Sequence, residues 1–370
     1  MKDTFTDANF PRTADGRVYH LGIRPGDVAN RILTVGSPSR AEAIASLLDG
    51  DASSLFKLSS ERGFLTITGR FNGVPISIVS IGMGYPNMDF FVREARECVS
   101  GDLVIVRLGS CGGLTDLPVG SLVVPSAGVS VRRNYDYDFL SDNADGQDGS
   151  PYQVSKPVAA DAELHAFVTN RLKTTTPLDP PATIVSNTVN ASADSFYASQ
   201  GRQTSFPDHN EMLIDHLMDT VPSLATLEME TFHLLHLASV WRPRQHKATT
   251  NGLTVPPTKL PVTPSLSPPS STNSSSSPTS PQVNATPTPT PTARIRAAAV
   301  QMIFANRRTQ DFISPTRVQE LEEWSGQAVL GALTGFGIPV ENLHPDLGTV
   351  WEKREIVDTK VKVNGISVST

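Results

Sequence analysis

Residues Val104 to Leu114 read VIVRLGSCGGL, an arginine set inside an apolar strand and followed at once by glycine-rich chain. A lone guanidinium in a core is strongly destabilising unless something pairs with it. No carboxylate follows within the next several residues, whereas a turn after Leu108 would offer the backbone N–H groups of Ser110, Cys111 and Gly112. A fixed arginine beside open amides makes a phosphate cradle. The competing reading is a core Arg107 satisfied by a distant Asp or Glu, and this segment alone leaves both open.

A second segment points the same way. In RILTVGSPSRAEAIASLLDG, from Arg31 to Gly50, Ile32, Leu33 and Val35 form a short buried strand that Gly36 and Pro38 end. Ser39 with Glu42 reads as a capping box opening a helix from Arg40 to about Leu48. Strand, glycine turn and helix N-terminus together favour an anion above Gly36, and Arg40 in the first turn suits that position only if an anion is there. The motif lacks dinucleotide-fold spacing and the P-loop lysine, so an ordinary capped helix is the competing reading.

The chain has 370 residues and a formal net charge of -6, which gives no electrostatic support for nucleic-acid or anionic-membrane binding. Two cysteines, Cys98 and Cys111, supply neither a disulfide framework nor a zinc-site spacing. The first residues have no apolar signal core, and nothing approaches the roughly 18 apolar residues of a membrane span. These features lead to the expectation of a cytoplasmic protein with no metal.

Strands and helices alternate along the chain. A hairpin is expected from Gly63–Thr68 and Val74–Ile81 around Asn72-Gly73, then a helix from Asn87 to Ser100 stopped by Gly101, and a strand over Leu103–Leu108. Short strands follow at Ser121–Pro125 and Thr183–Asn187, with a surface loop over Ser141–Ser150 between them. Asp208 and Glu211 read as a capping box for a helix ending near Thr220; another helix spans Met229–Trp241, and Ser314-Pro315 opens the last, to about Leu333. Ala297–Ala305 is a buried strand or a helix-to-strand unit. The pattern implies one layered α/β/α domain with a central twisted, largely parallel or mixed sheet. Arg242–Thr292 interrupts it with Pro, Ser and Thr and no hydrophobic period, the composition of a disordered insertion. The organisation is then an N-terminal extension (1–18), a domain built from 19–241 plus 294–334, the insertion (242–293), and a tail (335–370) of unassigned structure.

These motifs taken together resemble the nucleoside phosphorylase family, closest to its uridine-specific members. The matching pieces are YHLGI (19–23), GSPSR (36–40), ERGF (61–64), GMGYPNMDFFVRE (82–94), RLGSCGGL (107–114), SADSFYASQGRQ (192–203), SFPDHNE (205–211) and LEMETFHLL (227–235). The resemblance implies a pentosyltransferase that cleaves uridine with phosphate to uracil and ribose 1-phosphate, in pyrimidine salvage and catabolism. It places Gly36, Arg40, Arg62, Arg107 and Ser110 around phosphate, and implies that Glu230 accepts the ribose 2′- and 3′-hydroxyls over Met229 while His20 reaches the 5′-hydroxyl across a subunit boundary. Arg107, Glu230 and Arg202 are the implied catalytic groups, Arg62 and His20 serve a neighbouring subunit, and the assembly is a homodimer or larger homo-oligomer. Phosphate is co-substrate and no cofactor is called for.

The base end rests on residue chemistry. Phe196 can stack on a flat ring, Gln200 offers donor and acceptor to the O4/N3–H edge of uracil, and Arg202 adds donors to a carbonyl oxygen. Purine-specific members carry an Asp after the late strand; here the sequence runs MIFANRRT, with Asn306 and Arg307. Three departures from bacterial members are Ser37 for an Asp, Cys111 for a hydroxyl residue, and Gly63 for the Glu tied to a potassium site. A purine phosphorylase, a nucleosidase and a non-catalytic nucleoside-binding domain remain the alternatives. Glu228 and Glu230, two apart, cannot share a helix face, so an ordinary helix start would expose one and bury the other.

Overall fold

The computed structural model describes residues 4–140, 149–176, 181–243 and 292–353. Nearly all of the expected surface loop and insertion therefore lies outside the described residues. A short N-terminal ribbon pairs β1 (Phe5–Thr6) with β2 (Arg12–Thr13). Then come β3 (Arg31–Val35), α1 (Pro38–Ala45), β4 (Phe56–Ser59), β5 (Leu65–Phe71), β6 (Val74–Ser80), α2 (Tyr85–Arg96), β7 (Leu103–Gly113) and β8 (Leu122–Arg133). The remainder comprises β9 (Tyr152–Val154), β10 (Val158–Ala159), α3 (Ala162–Thr174), β11 (Ile184–Ala193), α4 (Leu213–Thr220), β12 (Leu224–Glu228), α5 (Thr231–Val240), β13 (Ile295–Asn306) and α6 (Pro315–Gly335).

One mixed sheet of eleven strands organises the molecule, with β7 parallel to both β3 and β13. Because β13 also pairs with β8, and β8, β11, β12 and β7 pair in succession, five strands close into a ring. The period-two alternation of each strand sorts its apolar residues to two faces. Leu33, Val104, Val106, Ala298 and Val300 pack under α1, α3 and α6, whereas Ile32, Leu103, Ile105, Ile295 and Ala297 pack under α2 and α5. The layered mixed-sheet architecture is as expected.

Several local expectations change. The helix at Pro38 is capped by Ser37, whose Oγ accepts from the Arg40 N–H, so Arg40 falls in the first turn but Ser39 is not the cap; Glu42 binds Lys57 instead. Asp208 and Glu211 do not cap α4, which opens at Met212 without a side-chain cap, because Asp208 is taken by Arg133. Gly101 is not a left-handed helix stop; a Cβ there would lie 1.8 Å from the Asn342 carbonyl oxygen, so glycine is needed where the tail crosses. The helix at Tyr85 is also shorter than expected, ending at Arg96. The Asn72-Gly73 turn is as read, both residues having positive φ, and Ser314 caps α6 from its Oγ.

The described part of the tail, 336–353, is fastened down rather than loose. Arg31 donates to the carbonyls of Leu333 and Phe336, the Asn30 amide to those of Asp102 and Asn342, and Trp351 is buried. These contacts hold the end of the sheet opposite to the one where most of the candidate site residues gather.

Candidate active site

At the C-terminal ends of the parallel strands a cavity of about 230 Å³ brings together Gly36, Arg40, Arg107, Ser110, Met229 and Glu230 with Phe196, Gln200 and Arg202. Nine of the eleven residues named above for phosphate and nucleoside therefore line one space. The other two, Arg62 and His20, do not line it. Arg62 is exposed and donates to the Tyr19 hydroxyl, while His20 stacks on Phe90 with ring centroids 3.7 Å apart and its Nδ1 lies 2.7 Å from Glu94.

The chain after Arg107 does not turn: β7 runs on to Gly113 alongside β13. Gly109 serves close packing, since a Cβ there would meet Gln301 Oε1 at 2.6 Å. The pairing breaks step between Ile303 and Ala305, opposite Cys111 and Gly112, where the strand end faces the cavity.

Arg107 is 3% exposed, and distant carboxylates do pair with it. Its Nη2 donates to Glu230 Oε2 at 2.5 Å, and its Nε lies 3.7 Å from Glu228 Oε2. Yet Nε and Nη1, both buried, make no hydrogen bond. Both readings of the strand arginine are thus partly met: one edge is anchored by protein and the rest is unsatisfied, which a buried donor tolerates poorly.

Glu228 and Glu230 are both buried, which rules out the ordinary helix start that would expose one of them. Glu228 ends β12 and Glu230 sits at the N-cap position of α5, so they belong to a strand-to-helix corner rather than to a helix from Met229. Glu228 accepts from Asn190, Ser192 and the backbone N–H groups of Glu230 and Thr231, which fixes the corner. The other carboxylate oxygen of Glu230 accepts from Gly84 N–H at 2.6 Å, where positive φ suits glycine. Burial, with Glu228's charge beside it, raises the Glu230 carboxyl to about 7 against the opposing pull of Arg107.

Arg40 reaches the same cavity from α1. Its guanidinium is held by Glu322 of α6, with Nε at 2.7 Å and Nη2 at 2.6 Å from Oε1. The negative charge that Arg40's place in the first turn favours is thus supplied, along one edge of its guanidinium, by a side chain of the protein. Burial lowers the Arg40 pKa, and the nearby Arg107 charge works in the same direction.

The other end of the cavity is built differently. Phe196 is 46% exposed and carries the Arg202 guanidinium 3.8 Å from its ring centroid. Arg202 Nη1 donates to Gln200 Oε1 at 2.5 Å, and burial with the Arg307 charge brings the Arg202 pKa down to about 10. Arg307 braces this loop by donating to the carbonyls of Gln200 and Gly201. Asn306, where purine-specific relatives were expected to differ, spends its amide on the Thr115 and Leu117 carbonyls.

Glu322, Arg307 and the cavity residues Phe304 and Phe312 were not anticipated as site components. Their elements are readable in sequence, but nothing local links Glu322 to an arginine 282 positions away. Among the described residues no group of His, Cys, Asp and Glu is arranged to hold a metal, and no helix is long and apolar enough to cross a membrane.

The geometry agrees with what the chain is similar to. A family model described as the phosphorylase superfamily matches residues 30–240. A uridine phosphorylase of Thermococcus kodakarensis is 29% identical over 245 residues, spanning 65% of this chain and 79% of that protein. A DeoD-type purine nucleoside phosphorylase of Myxococcus xanthus is 36% identical over 129 residues, 33% of this chain, and the match spans about half (52%) of that relative's length. Among solved structures, a chain from a study of two uridine phosphorylases of Phytophthora capsici is 32% identical with a TM-score of 0.71, covering 90% of this chain and 100% of that one. The chain belongs to the phosphorylase superfamily, as a nucleoside phosphorylase and hence a pentosyltransferase.

Proposed function

We propose that this nucleoside phosphorylase acts on uridine, releasing uracil and ribose 1-phosphate. The observation that carries the reading is the sharing of one cavity by two anchored arginines, a buried carboxylate and the Phe196, Gln200 and Arg202 side chains. Phosphate sits over Gly36 and Ser110 between Arg40 and Arg107, whose unpaired N–H groups supply charge-assisted hydrogen bonds. Its oxygen attacks C1′ as the glycosidic bond breaks, and the bonding pair leaves on uracil. Holding nucleophile and sugar together makes the step effectively unimolecular. Glu230 accepts the ribose hydroxyls and its ionised form favours the cationic sugar, with Met229 beneath. Gln200 and Arg202 donate to the carbonyl oxygens on which the leaving uracil carries its charge, and a proton from water completes it.

Phosphate is consumed as a substrate, and the reaction needs no cofactor. Arg62 and His20, which lie away from this cavity, serve a neighbouring subunit's site in a homodimer or larger homo-oligomer. Cytoplasmic pyrimidine salvage is the setting this chemistry fits.

The test is a panel of uridine, deoxyuridine, thymidine, inosine and adenosine at saturating phosphate, scored by free base. Uridine should turn over fastest. Inosine or adenosine exceeding it would move the enzyme to the purine branch.

A further inference from the structure

Two helices meet over the phosphate end in a way that the reaction scheme does not use. Gly326 of α6 lies against Ile44 of α1 so closely that a Cβ would come within 2.9 Å of Ile44 Cγ1. Glycine inside a helix is destabilising, and here its lack of a side chain lets the axes approach. One turn before each contact residue stand Glu322 and Arg40. Four-residue spacing puts each pair on one helix face. The crossing therefore delivers a carboxylate onto Arg40, with both contacts made by Glu322 Oε1.

The side chains are 11% and 20% exposed, so the pair is shielded from water and its charge counts at short range. Nη1 of Arg40 makes no hydrogen bond among the described residues, while Nε and Nη2 face Glu322. The same guanidinium lies 5.6 Å from the ring centroid of Phe304, which lines the cavity, so it is confined between a carboxylate and an aromatic wall.

We propose that Glu322 is a positioning residue that sets the affinity for inorganic phosphate through Arg40. It acts in two opposed ways. By holding Nε and Nη2 it turns Nη1 toward the anion; by its charge it offsets part of the positive potential that the anion meets. The inference rests on the phosphorolysis reading of this site and adds a control on phosphate that is independent of the nucleoside.

The opposed effects separate in two variants. Glu322→Gln keeps an oxygen acceptor for the guanidinium but removes the charge, so the KM for phosphate falls about threefold; Glu322→Ala loses the anchor, and the KM rises about tenfold. The KM for uridine stays within about twofold in both, as neither change touches the sugar or base contacts. Glu322→Asp, with charge kept on a shorter arm, lies between wild type and Glu322→Ala. Gly326→Ala, which forces α1 and α6 apart without adding or removing a group in the cavity, should raise the phosphate KM alone.

Calorimetric binding of inorganic phosphate to the full chain is measured beside the kinetics. Opposite shifts for Glu322→Gln and Glu322→Ala support the inference, and binding shifts suffice even if uridine is not cleaved, an outcome that would instead sink the phosphorolysis reading. Shifts of the same sign, equal changes in both substrates' KM, or no change in properly folded variants overturn it. So does a wild-type chain that binds no phosphate, which overturns both. If Glu322→Ala fails to fold, Glu322→Gln against Gly326→Ala still decides: the first must tighten phosphate binding and the second weaken it.

Discussion

The two ends of the cavity are made from different materials. At the end proposed above for phosphate and ribose, Arg107 and Glu228 stand on strands of the closed ring and Glu230 at the corner that follows, all three nearly inaccessible to water and bonded to one another. At the base end, Phe196 and Arg202 flank a single 3-10 turn, held from outside by Arg307. The first end is over-determined by the sheet; the second depends on one loop and one brace. On the proposed reading, chemistry common to any nucleoside sits in the scaffold, and discrimination among bases sits where sequence can change without disturbing the core.

That contrast is broken most forcefully at Arg107. Arg107→Ala should lower kcat/KM for phosphorolysis by about 10³-fold. It also strands two buried carboxylates, so stability should fall by about 3 kcal/mol in denaturant titration. A variant as stable as wild type would show that Glu228 and Glu230 do not depend on it.

Glu230→Gln preserves shape and removes charge, and should lower kcat/KM by about 10²-fold through the ribose hydroxyls. The same residue supplies a test with no substrate present. Its carboxyl is raised from 4.5 to about 7, so between those values the native state holds a proton that the unfolded chain has lost. Its contribution to stability is then fully present below about 4.5 and disappears as pH rises through about 7. In phosphate-free buffer, the Tm of wild type relative to Glu230→Gln should decline across that window. A relative Tm that climbs with pH would mean that Arg107 outweighs burial.

Changes at the base end should be milder and selective. Arg202→Ala is expected to reduce uridine kcat/KM by about tenfold while the phosphate KM stays within about twofold, since only donors to the base are lost. Arg307→Ala, which loosens the loop without entering the cavity, should raise the uridine KM by about fivefold and leave kcat and thermal stability nearly unchanged. Equal effects of Arg202→Ala on both substrates would erase the distinction between the two ends.

The sequence made the scaffold end the more readable of the two. The Leu103–Leu108 stretch of β7, the Asn72-Gly73 hairpin and the Ser314-Pro315 helix start each carry a local signal that the packed chain obeys. The α3 helix was missed although Asp161 caps it and Leu164, Val168 and Leu172 form its buried stripe. Glycine misled twice: Gly101 and Gly109 are there to let a distant carbonyl and a distant side chain approach, a reason visible only once the chain has folded. The nine lining residues were found through motifs, but how they are held was not. Glu322 on Arg40, Glu230 on Arg107 and Arg307 under Gln200 are long-range pairs, and no periodicity encodes them.

The most direct test is a phosphate titration with the purified chain at saturating uridine, measuring uracil and ribose 1-phosphate together. The expected result is hyperbolic dependence on phosphate, no uracil in its absence, and the two products in equal amounts. Uracil released at the same rate without phosphate, with free ribose beside it, would make water the nucleophile and contradict the role assigned to Arg40 and Arg107.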